Sequence, residues 1–121
     1  DWQIDSAATT NYHIGQPPHH LSQKICKLHN IDISAQRARL FLKEDVEEYD
    51  YIYAMATDVL EDIKDIVGGH YAAKNIGLLL EDLQPYERQD VPDPYYGTKS
   101  NYQFAFDLIS KGCDAIVEKY C

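Results

Sequence analysis

Tyr51-Ile52-Tyr53-Ala54-Met55, a helical run from Thr57 through Val67, and Asn75-Ile76-Gly77-Leu78-Leu79-Leu80 together decide the fold. Residues 50–54 are β-branched and aromatic enough to read as a strand. Thr57 suits the N-cap of the helix that follows, and Gly68-Gly69 suits its end, because glycine enters the left-handed region without a Cβ clash. Residues 75–80 read as a further, buried strand. Strands alternating with helices specify an α/β domain with a parallel sheet.

Upstream, residues 2–7 alternate and then turn small and polar, which predicts a first strand, and residues 9–18 form a loop rich in Thr, Asn, Gly and Pro. Residues 19–30 predict a helix with Leu21, Ile25 and Leu28 on one face. Ser34 begins a short helical piece and residues 43–49 form another. Downstream, the loop over residues 84–99 holds three of the five prolines. Ser100-x-x-Gln103 reads as a capping box opening a long final helix, with Tyr102, Phe106, Ile109, Cys113, Ile116 and Tyr120 on its inner face. Three strands are expected in all, with no internal repeat.

The 121 residues amount to one domain, and 45% hydrophobic content is ordinary for a globular chain. A net charge of −9 argues against nucleic acid or an anionic membrane as partner. The acid is spread over helix faces, as in Glu44-Asp45, Glu47-Glu48 and Glu61-Asp62, the pattern of a solvated surface. Three cysteines make an odd count without a disulfide framework, which fits a reducing cytoplasm. No apolar run approaches membrane-spanning length, and no signal peptide is evident. His13, His19, His20, His29 and His70 form no metal-binding set and read as exposed polar residues, the adjacent His19 and His20 pointing to different faces of a helix start. Cys26 and Cys113 read as core residues on helix inner faces.

One loop carries candidate chemistry. In Asp93-Pro94-Tyr95-Tyr96-Gly97, Pro92 and Pro94 bracket an aspartate and stiffen its mount, while two tyrosines offer flat walls for an aromatic ring. An acid held this way suits proton donation to the leaving oxygen of an aryl ester. Taken alone, the pentapeptide is better read as a Pro/Gly turn with exposed tyrosines.

The rest of the chain shifts that balance. Asp5-Ser6-Ala7-Ala8-Thr9 is followed by Asn11-Tyr12-His13-Ile14-Gly15, Pro17-Pro18, a helix, Ile33-Ser34-Ala35-Gln36-Arg37-Ala38-Arg39, the strand from Tyr51, and finally the Asp-Pro-Tyr-Tyr-Gly loop. In this order and spacing the set resembles the low-molecular-weight protein-tyrosine phosphatases, from Trp2 to the C-terminus. The resemblance implies a three-layer α/β fold with a parallel sheet flanked by helices. It implies hydrolysis of phosphotyrosine through a phosphocysteine, without metal or other cofactor, with a tyrosine-phosphorylated protein as partner. Asp93 would be the general acid, later activating water. Tyr12 and Tyr95 would wall the phosphotyrosine cleft, with Tyr96 a weaker partner of Tyr95, and Ser6 would support the phosphate loop. Gln36 stands where several relatives have histidine, and Ala56 where many have aspartate, which weakens the expected support of that loop.

The family's nucleophile sits in a Cys-x5-Arg loop near the N-terminus. Here Asp32 lies six residues after Cys26, Lys119 lies six after Cys113, and Cys121 is last, so no such pair exists. The expectation is therefore a single domain over residues 1–121 that is N-terminally incomplete, lacking the first, central strand and the phosphate loop. Without that strand, two neighbours would face each other across roughly 10 Å, about twice the pairing distance. Two other readings stand beside this one. An arsenate reductase of related fold would relay electrons through further cysteines, but residues 55–76 contain none. A catalytically inactive, truncated relative would bind a partner through exposed strand edges.

Overall fold

The computed structural model describes residues 2–68, 75–81 and 90–120. Six elements follow in order: α1 (His20–Leu28), α2 (Asp45–Glu48), β1 (Tyr51–Ala54), α3 (Thr57–Val67), β2 (Asn75–Leu78) and α4 (Lys99–Tyr120). β1 and β2 pair in parallel, from Tyr51 opposite Asn75 to Ala54 opposite Leu78. The connection between them passes through α3, as parallel neighbours require.

The period-2 alternation of the strands divides the core in two. Ala54 and Leu78, with Ile52 and Ile76 beside them, pack against Leu60, Ile63 and Val67 of α3, joined by Phe41 and by Val46 of α2. Each Val, Leu, Ile or Phe side chain among them contributes about 1.5–3 kcal/mol when fully buried. Tyr53, Leu79, Leu80 and Val91 pack instead with Ala105, Leu108, Ile109 and Ile116 of α4. The result is the expected α/β layering, a helix-flanked parallel sheet. Gly112 lets α4 approach closely: a Cβ there would stand 3.0 Å from Leu80 Cδ2 and 3.2 Å from the Leu79 carbonyl oxygen.

α1 packs along α4 and is pinned at both ends by stacked rings: His19 on Tyr102 at 4.9 Å and His29 on Phe106 at 4.3 Å. It ends in a Schellman motif. Asn30, at φ 64°, donates to the Lys27 carbonyl and Ile31 donates to that of Cys26.

Several sequence expectations are corrected. Residues 2–7 form no strand; the nearest pairing is a single parallel bridge from Ala8 to Leu40, and Trp2 and Ile4 are exposed. Alternation marks a strand only where a neighbouring ladder accepts its backbone groups, and among the described residues the sheet holds two strands. Ser34 lies in a turn held by the Asp32 carboxylate, which accepts its N–H, and not in a helix. α1 is shorter than residues 19–30, because His19 caps it through Nδ1. The final helix starts at Lys99, one residue before the anticipated N-cap Ser100, which is therefore inside it: Thr98 donates to Asn101 Oδ1, and Gln103 turns to Asp107 instead. Leu79 and Leu80 lie past the end of β2, in a turn, and remain buried. Cys113 is exposed, since Gly112 takes the inward position beside it. Gly69, His70, Cys121 and residues 84–89 of the proline-rich loop lie outside the described residues.

Candidate active site

The acid loop, which lies between β2 and α4 in the chain, is tied to the carboxyl end of β1. Val91, buried, donates its N–H to the Met55 carbonyl at 2.8 Å. One residue earlier, Asp90 Oδ1 accepts both the backbone N–H and the hydroxyl of Thr57, at 2.9 and 2.7 Å. Thr57 is thus the first residue of α3, not its N-cap; Ala56 occupies that position without a side-chain bond, and Asp90 supplies the missing acceptor. Anchors to Met55, just past β1, and to Thr57, at the start of α3, therefore hold the loop at the carboxyl end of the strand, the side on which open α/β sheets bind ligands.

Within the loop, Asp93 Oδ1 accepts the Tyr95 N–H at 3.0 Å, and Gly97 donates to the Pro94 carbonyl at 2.6 Å. Asp93 is exposed, and its second oxygen receives no hydrogen bond from the described residues. The Tyr102 hydroxyl reaches up from α4 to the Tyr95 carbonyl at 3.3 Å. Burial first, and then the nearby Asp93 carboxylate, push the Tyr102 hydroxyl above its ordinary pKa.

Tyr95 faces a cleft of about 440 Å³ shared with Ser6, His13, Gln16, His19, Gln36 and Arg37. Its ring lies 5.0 Å from His13 and 5.3 Å, edge-on, from His19. Tyr96 sits edge-on to Tyr95 at 5.0 Å and is 97% exposed. Tyr12 is 78% exposed and does not line the cleft; its neighbour His13 does. Ser6 lines this cleft and an adjoining hollow of about 410 Å³ formed with Ile4, Asp5, Gln36 and Arg37. Asp93, Tyr95 and Tyr96 thus share one loop; Ser6 lines the same cleft as Tyr95, and Tyr12 lies outside that lining.

The floor beside Ser6 is tied down by charge. Asp5 Oδ1 accepts the Ser6 N–H at 2.7 Å, and its Oδ2 meets Arg39 Nε at 3.1 Å. The same guanidinium reaches Asp45 Oδ2 at 3.0 Å, and Asp45, buried, also accepts the Leu42 N–H. The Ser6 N–H, then the Arg39 charge, hold the Asp5 carboxyl below its ordinary pKa. Hydrogen bonding to Asp45 raises that of Arg39. Arg37 spends one guanidinium nitrogen on the carbonyls of Ser34 and Gln36.

The two described thiols, Cys26 and Cys113, are poorly suited to attack. Burial raises the pKa of Cys26; at Cys113, partial shielding of the sulfur and then the Asp114 carboxylate do the same, although the residue is exposed overall. A raised value keeps the thiol protonated and weakly nucleophilic. Among the described residues no cluster of three or more His, Cys, Asp or Glu could hold a metal ion, and no helix is long and apolar enough to cross a membrane.

His13, His19, Tyr102 and Asp90 were not among the candidate site residues. His13 lies inside the Asn-Tyr-His-Ile-Gly motif, and His19 follows Pro17-Pro18 at a helix start, so local signals existed for both. His19 and His20 do not diverge; their rings stack at 4.3 Å.

Comparison with known proteins gives this geometry its class. A family model described as low molecular weight phosphotyrosine protein phosphatase matches residues 1–120. The chain is 34% identical over 119 residues to the low molecular weight phosphotyrosine protein phosphatase of Homo sapiens, covering 98% of this chain and 75% of that protein. It is 32% identical over 118 residues to the low molecular weight protein-tyrosine-phosphatase PtpA of Staphylococcus aureus, covering 98% and 72%. A protein tyrosine phosphatase from Entamoeba histolytica, solved with Hepes in the active site, matches with a TM-score of 0.86 at 28% identity over 96% of this chain and 73% of that one. A Drosophila arginine phosphatase shares the fold at a TM-score of 0.90 and 24% identity, over 99% and 78%. The chain belongs to the low molecular weight phosphotyrosine protein phosphatase family, a class of phosphatase hydrolases.

Proposed function

We propose that this chain carries the general acid and the aryl-binding wall of a phosphatase acting on phosphotyrosine in proteins. The observation that carries the reading is the Asp93 turn. It is clamped to the carboxyl end of β1 through Val91 and Asp90, beside the Tyr95 cleft, with one carboxylate oxygen receiving no bond from the described residues. The nucleophile is a cysteine thiolate on a preceding segment bearing a Cys-x5-Arg loop, because no cysteine of the 121 residues has the required arginine. In the same reading the domain over residues 1–121 is completed by that segment, whose strand would lie between residues 2–7 and β1.

Two steps follow. The thiolate attacks phosphorus as the bond to the tyrosyl oxygen breaks, and Asp93 donates its proton to that oxygen. Asp93, now ionised, takes a proton from water whose oxygen attacks phosphorus; the sulfur–phosphorus bond breaks and the thiolate is restored. Tyr95 flanks the substrate ring and Tyr96 extends that side; Tyr12, outside the cleft lining among the described residues, becomes the opposite wall once the preceding segment completes the site, and Ser6 supports the phosphate loop. The partner is a tyrosine-phosphorylated protein, met in a reducing cytoplasm where the thiols stay free.

The test is hydrolysis of para-nitrophenyl phosphate and a phosphotyrosine peptide by the complete coding chain. Asp93→Asn should lower kcat by about 10²–10⁴-fold on the peptide, whose leaving group needs the proton. Unchanged turnover in Asp93→Asn would remove the acid assignment. An upstream coding sequence without a Cys-x5-Arg loop would remove the mechanism.

A further inference from the structure

The Tyr95 wall is held from three directions. His13 approaches its ring at 5.0 Å from the loop before α1. His19 meets it edge-on at 5.3 Å from the start of α1. Tyr102 of α4 donates its hydroxyl to the Tyr95 carbonyl at 3.3 Å and stacks its ring on His19 at 4.9 Å. Tyr102 is 5% exposed, so this stack is fixed to the buried face of α4. His19 is fixed as well: Nδ1 accepts the Leu21 N–H at 3.1 Å, which sets the plane of its imidazole, and the ring also stacks on His20. Capping alone does not require an imidazole, since Asn, Asp or Ser performs it as well. What the imidazole adds is a flat plate between Tyr102 and Tyr95.

We infer that His19 is a positioning residue. It holds the Tyr95 ring where it lines the cleft and so sets a preference for aryl over small phosphate ligands. Tyr95 is 40% exposed, and an exposed tyrosine without lateral support samples other rotamers. Holding it before substrate arrives removes an ordering cost from binding. The specificity half of this inference rests on the phosphatase reading above; the positioning half does not.

The informative variant is His19→Asn, which retains a side-chain acceptor for Leu21 and removes the plate. On the complete protein with 13C-labelled tyrosine rings, the Tyr95 NMR signal is assigned by its loss in Tyr95→Phe. His19→Asn should shift that signal toward its free-tyrosine position while helicity by circular dichroism is retained. A Tyr95 signal unmoved by the substitution overturns the positioning role. In the complete protein, the same variant should raise KM for para-nitrophenyl phosphate by about three- to tenfold, with kcat nearly constant, as loss of uniform ring binding does. The inhibition constant of inorganic phosphate, which has no ring to seat, should not change. Equal weakening toward inorganic phosphate, or a fall in kcat at constant KM, overturns the specificity role. Absence of turnover in the unsubstituted complete protein would sink the phosphatase reading and the specificity role with it, and the NMR comparison then decides the positioning role by itself.

Discussion

Asp90→Ala should both unpin α3 and loosen the acid loop. Asp90 Oδ1 accepts two hydrogen bonds from Thr57, at 2.9 Å from the backbone N–H and 2.7 Å from the hydroxyl, across 33 residues. The residue in the N-cap position, Ala56, has no acceptor of its own. Loss of an N-cap acceptor costs about 0.5–2 kcal/mol, and a carboxylate at a helix start adds about 0.3–1 kcal/mol through the helix dipole. Asp90 is exposed, which screens its charge and favours the lower half of both ranges. The expected loss is therefore about 1–1.5 kcal/mol for Asp90→Ala, and about 0.5 kcal/mol for Asp90→Asn, which keeps an oxygen and gives up the charge. Thr57→Val removes the hydroxyl alone and should cost about 0.5–1 kcal/mol. Because the two side chains meet, the double variant should fall short of additivity by about 0.5 kcal/mol. Urea unfolding with a common m-value reads all four numbers. A loss within about 0.3 kcal/mol for Asp90→Ala, or strict additivity with Thr57→Val, would refute a cap delivered from the acid loop.

Two further outcomes complement the Asp93 and His19 variants. Gly112→Ala gains about 1 kcal/mol of helix propensity, but its Cβ would stand 3.2 Å from the Leu79 carbonyl oxygen, which cannot rotate away; overpacking of about 1–3 kcal/mol should win, and a stabilised variant would show that α4 can slide. Asp5 has its pKa lowered by the Ser6 N–H and by Arg39, so the folded state binds its proton less readily than the unfolded state. Its stabilising effect is therefore present above the ordinary value of 3.8 and is lost as pH falls through the lower folded value. The stability difference between the parent chain and Asp5→Asn should shrink as pH drops below 3.8, and a constant difference across that range would exclude the tether.

Local pattern made much of the fold legible. The strand and helix over residues 51–67 and the start of the next strand at Asn75 appear where expected because each change of hydrophobic period is written in adjacent residues. The same pattern failed at residues 2–7, where alternation is present but no neighbouring ladder completes it. It failed at Cys113 because a helix face is narrow, and the glycine one position earlier turns inward. In the site, the motif with Asp93, Tyr95 and Tyr96 was visible as a contiguous loop. The histidines were not, since a ring's partner depends on which helices meet: His19 needs α4, and His29 needs Phe106.

The sequence by itself determined the alternation of strands and helices, the family, and the absence of a cysteine with an arginine six residues on, all of which are properties of order along the chain. The tertiary structure alone decided who caps α3, what steadies Tyr95 and what ties Asp5 to α2. Those partners lie tens of residues apart, as with Thr57 and Asp90, Tyr53 and Tyr120, or Thr9 and Asp62. A hydrogen bond or ring contact depends on distances of a few ångströms in space, and spacing along the chain carries no information about them until the core has packed.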